Sequence, residues 1–321
     1  MPYTKLSSSA ITTNTHRPLL GPYCLIKPAE KLENVVENTV EDVVENAIVS
    51  EIESVIENTL LPKDLGKALA FYRNRYKQEV LKKTELPKKI LDLRGAHLPN
   101  TQWAKANLEG ANLSNTNLEG SDLRRARLTG ADLTGANLTQ KANLYGANLT
   151  GANLSHANLS WAKLEQANLT SANLRDATLQ KANLEKATLT YTNLIEATLK
   201  EANLHEAKLE NANLTKANLI RADLKGATLK GANLKEANLY EANLEKTNLT
   251  KAKLPSADLS WADLRNANLS NTDLREATLK GARVEGINLR NANLTGAVLT
   301  ELTTNGIQPA VIDTSLLKQN P

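Results

Sequence analysis

Leucine recurs at every fifth position for more than two hundred residues, and this spacing limits the fold of the 321-residue chain more than any other feature. The series runs over residues 93–138, misses one beat, and resumes over residues 144–299. It contains 42 positions, of which 40 hold leucine and the other two hold Trp103 and Val284. The core of such a chain must therefore be built from a single side chain repeated along one path.

Neither an α-helix nor a continuous strand can bury this pattern. A step of five residues turns an α-helix by about 140°, so successive leucines would spiral around the axis. On a continuous strand the same step reverses the face each time, so half of the leucines would point into water. A chain that bends at every unit returns each leucine to one interior, and the spacing predicts such a chain.

The positions around each leucine support a short extended stretch followed by a corner. Alanine precedes the leucine by two residues in 34 of the 42 units, and the residue between them is Asn 22 times and Asp seven times. Alanine and leucine can then point inward while the residue between them points outward. The last two residues turn the corner and vary freely, as expected of turn residues that face solvent. The recurring Asn predicts a ladder of side chains hydrogen-bonded along the stack.

Units such as `ANLTG` at 147–151 resemble the pentapeptide-repeat family, whose motif is A(N/D)LXX, and the resemblance covers about residues 91–300. It implies an all-β solenoid, a right-handed quadrilateral β-helix with four units in each coil. The 42 units would then make between ten and eleven coils. At about 4.8 Å per coil the rod would be roughly 50 Å long.

The missed beat lies where Thr139, Gln140 and Lys141 stand in place of two corner residues. Because Ala142 and Leu144 resume the rhythm, the extra residue is expected to be absorbed at the corner as a bulge. No chemically reactive residues gather there. The sequence predicts a tolerated insertion at this corner.

Four segments are expected along the chain. They are a flexible leader (1–29), an α-helical region (30–90) with an acidic helix (30–61) and a basic helix (63–86), the repeat β-helix (91–300) and a C-terminal cap or tail (301–321). The acidic helix carries nine acidic residues against Lys31, so it and the basic helix are expected to form an antiparallel hairpin, with two arms that hold a partner as the alternative. Since an open solenoid end exposes core and backbone, the basic helix and the tail are expected to cover the two ends.

Composition gives no indication of catalysis. The chain has four histidines, and Cys24 is its only cysteine, so the sequence predicts no catalytic residue, no cofactor and no metal site. A net charge of +4 made of closely balanced charges gives no strong nucleic-acid signal, and no run is apolar enough to span a bilayer. We expect a non-enzymatic, cytoplasmic protein, with targeting by the leader as the alternative.

One side of the expected rod carries large apolar residues on its surface. Units stacked with the one centred on Leu159 place four such residues outward: Trp161, Ile220, Tyr240 and Trp261. The two tryptophans each occur in `LSWA`, 100 residues or five coils apart, which is about 24 Å. These residues are the candidate docking site for a protein partner, and the alternative is that they are scattered surface aromatics.

Three functions agree with these features. The first is a protein–protein interaction scaffold with an unidentified protein partner, in which homo-oligomers through the solenoid ends are also considered. The second, implied by the family resemblance, is a DNA mimic that modulates DNA gyrase. Mimicry requires a negative surface, and residues 91–321 carry 26 basic and 23 acidic residues. The third is a targeted or secreted effector that uses the rod as its binding surface.

Overall fold

The computed structural model describes residues 91–303, which contain all 42 units. We number the residues of a unit from 1 to 5, so that in Ala147–Gly151 position 1 is Ala147, position 3 is Leu149 and position 5 is Gly151. Every unit follows the same path: positions 1 to 3 are extended and positions 4 and 5 turn. The leader, both expected helices and residues 304–321 lie outside the described residues, so the predictions for them stay predictions.

Residues at position 2 pair in parallel with the same position one coil later. Asp92 pairs with Asn112, Asn112 with Asp132, and the series ends with Arg283 and Thr303. Each contact is an isolated bridge of one residue, and residues 91–303 contain no longer strand and no helix. Each coil therefore contains four units, and the fold is a right-handed quadrilateral β-helix, as the family resemblance implies.

Four flat faces and four corners follow from this stacking. Face 1 begins with the unit centred on Leu93, face 2 with Leu98, face 3 with Trp103 and face 4 with Leu108, and each face gains one unit per coil. Positions 2 and 4 point outward from a face, and position 5 stands at the corner that follows it. Residues that occupy the same position of a face in successive coils therefore lie one above another along the rod.

Backbone hydrogen bonding explains the preference for Asn and Asp at position 2. In the unit Ala167–Ser171 four N–H groups donate to backbone carbonyls, one across the preceding turn and three to neighbouring coils. The remaining N–H, on Thr170, donates to the side-chain Oδ1 of Asn168 at 3.1 Å. An unpaired N–H in this half-buried layer would cost about 1–3 kcal/mol, and Asn or Asp supplies its acceptor.

The same side chains also bond along the stack. Asn173 Nδ2 donates to Asn153 Oδ1 at 3.0 Å, and Asn193 Nδ2 donates to Asn173 Oδ1 at 2.9 Å. The predicted asparagine ladder is confirmed. Since Oδ1 accepts within the unit while Nδ2 donates to the neighbouring coil, both ends of the amide contribute to the fold.

The corners correct the expectation that positions 4 and 5 vary freely. Every position 5 has a positive φ between 53° and 71°. In 39 of the 41 usual turns the N–H of the next position 1 donates to the position 3 carbonyl, as from Ala167 to Leu164, whereas after Leu98 the Thr101 N–H donates to Ser121 Oγ. This is the type II pattern, whose third residue favours glycine. The sequence carries two signals of this conformation: all 12 glycines of residues 91–303 stand at position 5, and no β-branched residue does, although threonine occupies position 4 ten times.

Leucine and alanine fill the interior. The position 1 and position 3 side chains of the middle coils are 0–1% exposed, and Trp103 is fully buried among them. Threonine at position 1 is also buried. The hydroxyls of Thr116, Thr192 and Thr247 each donate to a leucine carbonyl of the preceding coil, as from Thr192 to Leu169 at 2.7 Å. In the last coil Leu289 and Leu299 are only partly buried. The interior of the middle coils is therefore closely packed with side chains, and the packing loosens only in the last coil.

The predicted bulge at the missed beat is confirmed. The bridge between Asp122 and Asn143 spans 21 residues, so the ladder continues across the insertion. Gln140 and Lys141 both have positive φ, 53° and 63°, inside a turn closed by a 3.1 Å bond from the Ala142 N–H to the Thr139 carbonyl. Two successive residues with positive φ are the type I′ pattern. The corner absorbs the extra residue by changing its turn type.

Candidate protein-interaction surface

The corner after face 2 carries both exposed tryptophans. We call its position 5 residues over six successive coils the tryptophan ridge: Trp161, Lys181, Glu201, Arg221, Glu241 and Trp261. The repeat stacks these residues because each lies 20 residues after the one before. At about 4.8 Å per coil the ridge is about 24 Å long.

Trp161 stands at the N-terminal end of the ridge with 52% of its surface exposed. The Nζ of Lys181 lies 4.6 Å from the ring centroid, within the range of a cation–π contact. The same ammonium lies 3.3 Å from Glu201 Oε2. Lys181 therefore contacts both of its neighbours on the ridge, the Trp161 indole before it and the Glu201 carboxylate after it.

Trp261 stands at the other end and is 49% exposed. Its indole lies over Gly281, the next corner residue, where an added Cβ would come within 2.7 Å of the ring. Only glycine leaves room for the ring in this position, and the φ of +68° at Gly281 also favours glycine. The orientation of Trp261 therefore depends on the glycine one coil later.

Arg221 and Glu241 form the second ion pair of the ridge through the Arg221 Nε and the Glu241 Oε2. Hydrogen bonds from Arg221 and Tyr240 lower the pKa of Glu241, although slight desolvation opposes them. The same contact with Glu241 raises the pKa of Tyr240. Both groups therefore keep their neutral-pH states, with Glu241 charged and Tyr240 protonated.

The other two predicted docking residues lie on the flat side of the corner. Ile220 and Tyr240 occupy position 4 of face 2 on successive coils, and both are half-buried. Together with Trp261 they occupy three neighbouring coils, whereas Trp161 lies three coils before Ile220. The four residues share one edge of the rod but form a group of three and a separate tryptophan. Their docking role stays a prediction.

Tyr191 was not singled out by the sequence, although it is 62% exposed. It occupies position 5 after face 4, with a φ of 59°, on the corner diagonally opposite the tryptophan ridge. Sorting residues by corner as well as by face would have found it. Because it cannot share a flat surface with Trp161 and Trp261, it provides a matched control for them.

Face 3 carries the densest charge network of the described coils. Glu245 lies 2.8 Å from Lys225 and 3.6 Å from Arg265, and Asp263 lies 2.6 Å from Arg265 and 3.0 Å from Arg283. A hydrogen bond from Lys225 lowers the pKa of Glu245 despite desolvation. Because these charges neutralise one another along the rod, they form no large patch of one sign.

The histidines of the repeat do not form a site. His156 stands at the corner after face 1, with Nδ1 4.0 Å from Asp176 Oδ2, and His205 lies on face 3, with Nε2 3.6 Å from Glu206 Oε1. Across residues 91–303, no three His, Cys, Asp or Glu side chains stand close enough to hold a metal ion. The same residues include no helix able to cross a membrane.

The family model described as pentapeptide repeats matches the chain eight times and covers more than half of it. The matches span residues 92–125, 104–140, 142–180, 167–205, 177–215, 217–255, 232–271 and 257–296. No curated protein gives a match.

Solved structures of pentapeptide repeat proteins are also similar. HetL from the cyanobacterium Nostoc sp. strain PCC 7120 is 30% identical, with 73% of this chain and 97% of that chain covered and a TM-score of 0.31. A second Nostoc protein is 38% identical over 27% of this chain and 69% of its own, with a TM-score of 0.25. Full-length QnrB1, a plasmid-mediated fluoroquinolone resistance protein, is 18% identical over 71% of this chain and 97% of its own, with a TM-score of 0.28. With its family model matched over most of the repeat and its coils built from A(N/D)LXX units, the chain belongs to the pentapeptide repeat family.

Proposed function

We propose that this protein is a non-enzymatic scaffold that binds a protein partner through the tryptophan ridge and the adjoining Ile220 and Tyr240. The observation that carries the proposal is the pair of half-exposed indoles, Trp161 and Trp261, on one edge of the rod. Tryptophan is enriched among the residues that dominate binding energy at protein interfaces. Most of the remaining outward positions hold Asn, Thr or paired charges.

The physical form of the rod supports this role. Its interior is filled by leucine and alanine, and its coils are joined by backbone hydrogen bonds along all four faces. A rigid surface loses little conformational freedom on binding, which favours affinity. The ridge therefore offers two indoles held at a fixed separation.

The charge distribution does not favour the DNA-mimic alternative. Residues 91–303 carry 25 basic and 22 acidic residues, and the charges of the ridge alternate in sign. The alternative of a targeted effector depends on residues 1–29, which lie outside the described residues. No observation on residues 91–303 specifically favours either of these two alternatives.

Affinity capture with the full chain tests the proposal. The wild type and the Trp161→Ala/Trp261→Ala double variant are compared by quantitative mass spectrometry, with Tyr191→Ala as the control for the loss of an exposed aromatic corner residue. We expect at least one protein to be captured by the wild type and Tyr191→Ala but depleted about tenfold or more with the double variant, since an interface tryptophan is worth about 1.4 kcal/mol or more. Equal capture by all three proteins would rule out the ridge as the binding site.

A further inference from the structure

The order of side chains along the tryptophan ridge identifies a partner. From its N-terminal end the ridge has an indole, a cation, an anion, a cation, an anion and an indole. Reading it from the other end exchanges every cation for an anion and leaves an indole at each end. Among the four corners of residues 91–303, no other carries four successive charges that alternate in sign.

A second copy of the chain running in the opposite direction would therefore meet the ridge with complementary groups. A two-fold axis between the coils of Glu201 and Arg221 places Glu201 opposite the partner copy's Arg221. The same axis places Lys181 opposite Glu241 and Trp161 opposite Trp261. Each contact occurs twice, as an isologous interface requires. Two copies aligned in the same direction and in register would instead oppose like charges.

We propose that the tryptophan ridge is the contact surface of an antiparallel homodimer, centred between Glu201 and Arg221. This inference rests on the proposed role of the ridge as a docking site and names its occupant as a second copy of the chain. Each half-exposed indole offers about 100 Å², so four indoles and the charged side chains bury less than the roughly 1,200 Å² of a standard interface. The dimer is therefore weak and forms at micromolar concentrations.

Sedimentation velocity of the full chain over about 5–500 μM tests the dimer. We expect the wild type to pass from monomer to dimer in this range. Lys181→Glu alone and Glu241→Lys alone each place two like-charge pairs across the axis, and we expect each to weaken dimerisation about tenfold or more. Lys186→Glu is the matched control, because Lys186 forms the same kind of coil-to-coil ion pair with Glu206 on the next corner.

Mixing the two variants separates an intermolecular effect from damage within one chain. In a heterodimer of Lys181→Glu with Glu241→Lys every cation again faces an anion, whereas the ion pairs inside each chain stay broken. We expect the equimolar mixture to regain dimer. A wild type that stays monomeric, a dimer that Lys181→Glu does not weaken, or a mixture that stays monomeric would each overturn the inference.

Cross-linking tests the antiparallel direction. Ser160 and Ser260 flank the two tryptophans on face 2, and the two-fold axis places each opposite the other. In a Cys24→Ser background, a short bismaleimide should join Ser160→Cys chains to Ser260→Cys chains. Cross-linking of either variant only with itself would contradict the antiparallel direction. If the wild type is monomeric while the tryptophan double variant still loses a captured protein, the homodimer fails and the docking function stands.

Discussion

Replacing Lys251 with glycine should stabilise the rod, although it removes a whole side chain. Lys251 occupies position 5 on the corner after face 4 with a φ of 61°, and its side chain makes no ion pair with any residue of the described coils. A left-handed conformation costs an L-residue roughly 1–2 kcal/mol, and glycine avoids this cost. Glycine also lowers the free energy of unfolding by about 0.5–1 kcal/mol, because the unfolded chain gains conformational entropy at that residue. The expected net gain is about 0.5–1 kcal/mol.

Two further substitutions make the prediction specific. Lys230 is an exposed lysine of the same face at position 4, where φ is not positive, so Lys230→Gly should destabilise by about 0.5–1 kcal/mol. Lys251→Val should also destabilise, because a β-branched residue is strongly disfavoured at positive φ. The two glycine variants therefore differ in sign although the same side chain is removed.

Equilibrium denaturation followed by circular dichroism measures these differences from the shift of the midpoint at constant slope. Because long repeat arrays can lose two-state behaviour, a change of slope would require hydrogen exchange of the amides in the affected coil instead. Destabilisation by Lys251→Gly, or equal effects of Lys251→Gly and Lys230→Gly, would refute the argument that the corners are conformationally strained.

The remaining predictions concern single contacts of the rod. Asn168→Ala should destabilise by about 1 kcal/mol because the Thr170 N–H loses its acceptor, and Asn168→Asp should stay close to wild type in denaturation, since it keeps an acceptor. Deleting Gln140 should restore the five-residue rhythm and leave the melting temperature within a few degrees of wild type, and a large loss would show that the bulge supports the fold. Gly281→Ala should displace the Trp261 indole and shift tryptophan fluorescence, whereas unchanged emission would place the ring elsewhere. A hydrogen bond from Arg275 lowers the pKa of Asp273, so its stabilisation is present above the ordinary Asp value of about 3.9 and is lost as pH falls through the lowered value. The melting temperature of Asp273→Asn should therefore depend less steeply on pH below about 4 than that of the wild type. An equally steep dependence would show that the Asp273 carboxylate does not stabilise the fold.

The repeat could be predicted from the sequence because its signal occurs 42 times. A five-residue spacing excludes both a helix and a long strand, and alanine two residues before leucine identifies the inward side. The bulge at Gln140 could be predicted for the same reason, since the rhythm resumes unchanged at Leu144.

The corner conformation was missed although position 5 carries a signal. All 12 glycines of residues 91–303 stand at position 5, and threonine, valine and isoleucine are absent from it. Both features indicate a positive φ, but the lysines, glutamates and tryptophans that share the position make it resemble an ordinary exposed turn. Likewise, Asn at position 2 predicts a ladder between coils, but its bond to the N–H two residues later depends on a backbone path that the spacing does not specify.

The candidate surface could be predicted only in part. The repeat places Trp161 and Trp261 in one column, but it does not show that Lys181 contacts one indole or that Gly281 receives the other. Tyr191 was overlooked because it stands alone on its corner. Side-chain contacts between coils depend on neighbours 20 residues away, and a reading of single units does not compare them.

Both proposals require that Trp161 and Trp261 stand on one edge of the rod, five coils apart. The most direct measurement is the distance between spin labels at Trp161→Cys and Trp261→Cys in a Cys24→Ser background, by pulsed electron paramagnetic resonance with excess unlabelled chain. The four-sided coil predicts a main distance of about 24 Å, widened by the label linkers. A main distance of about 32 Å or more, as expected if each coil held only three units, would contradict it.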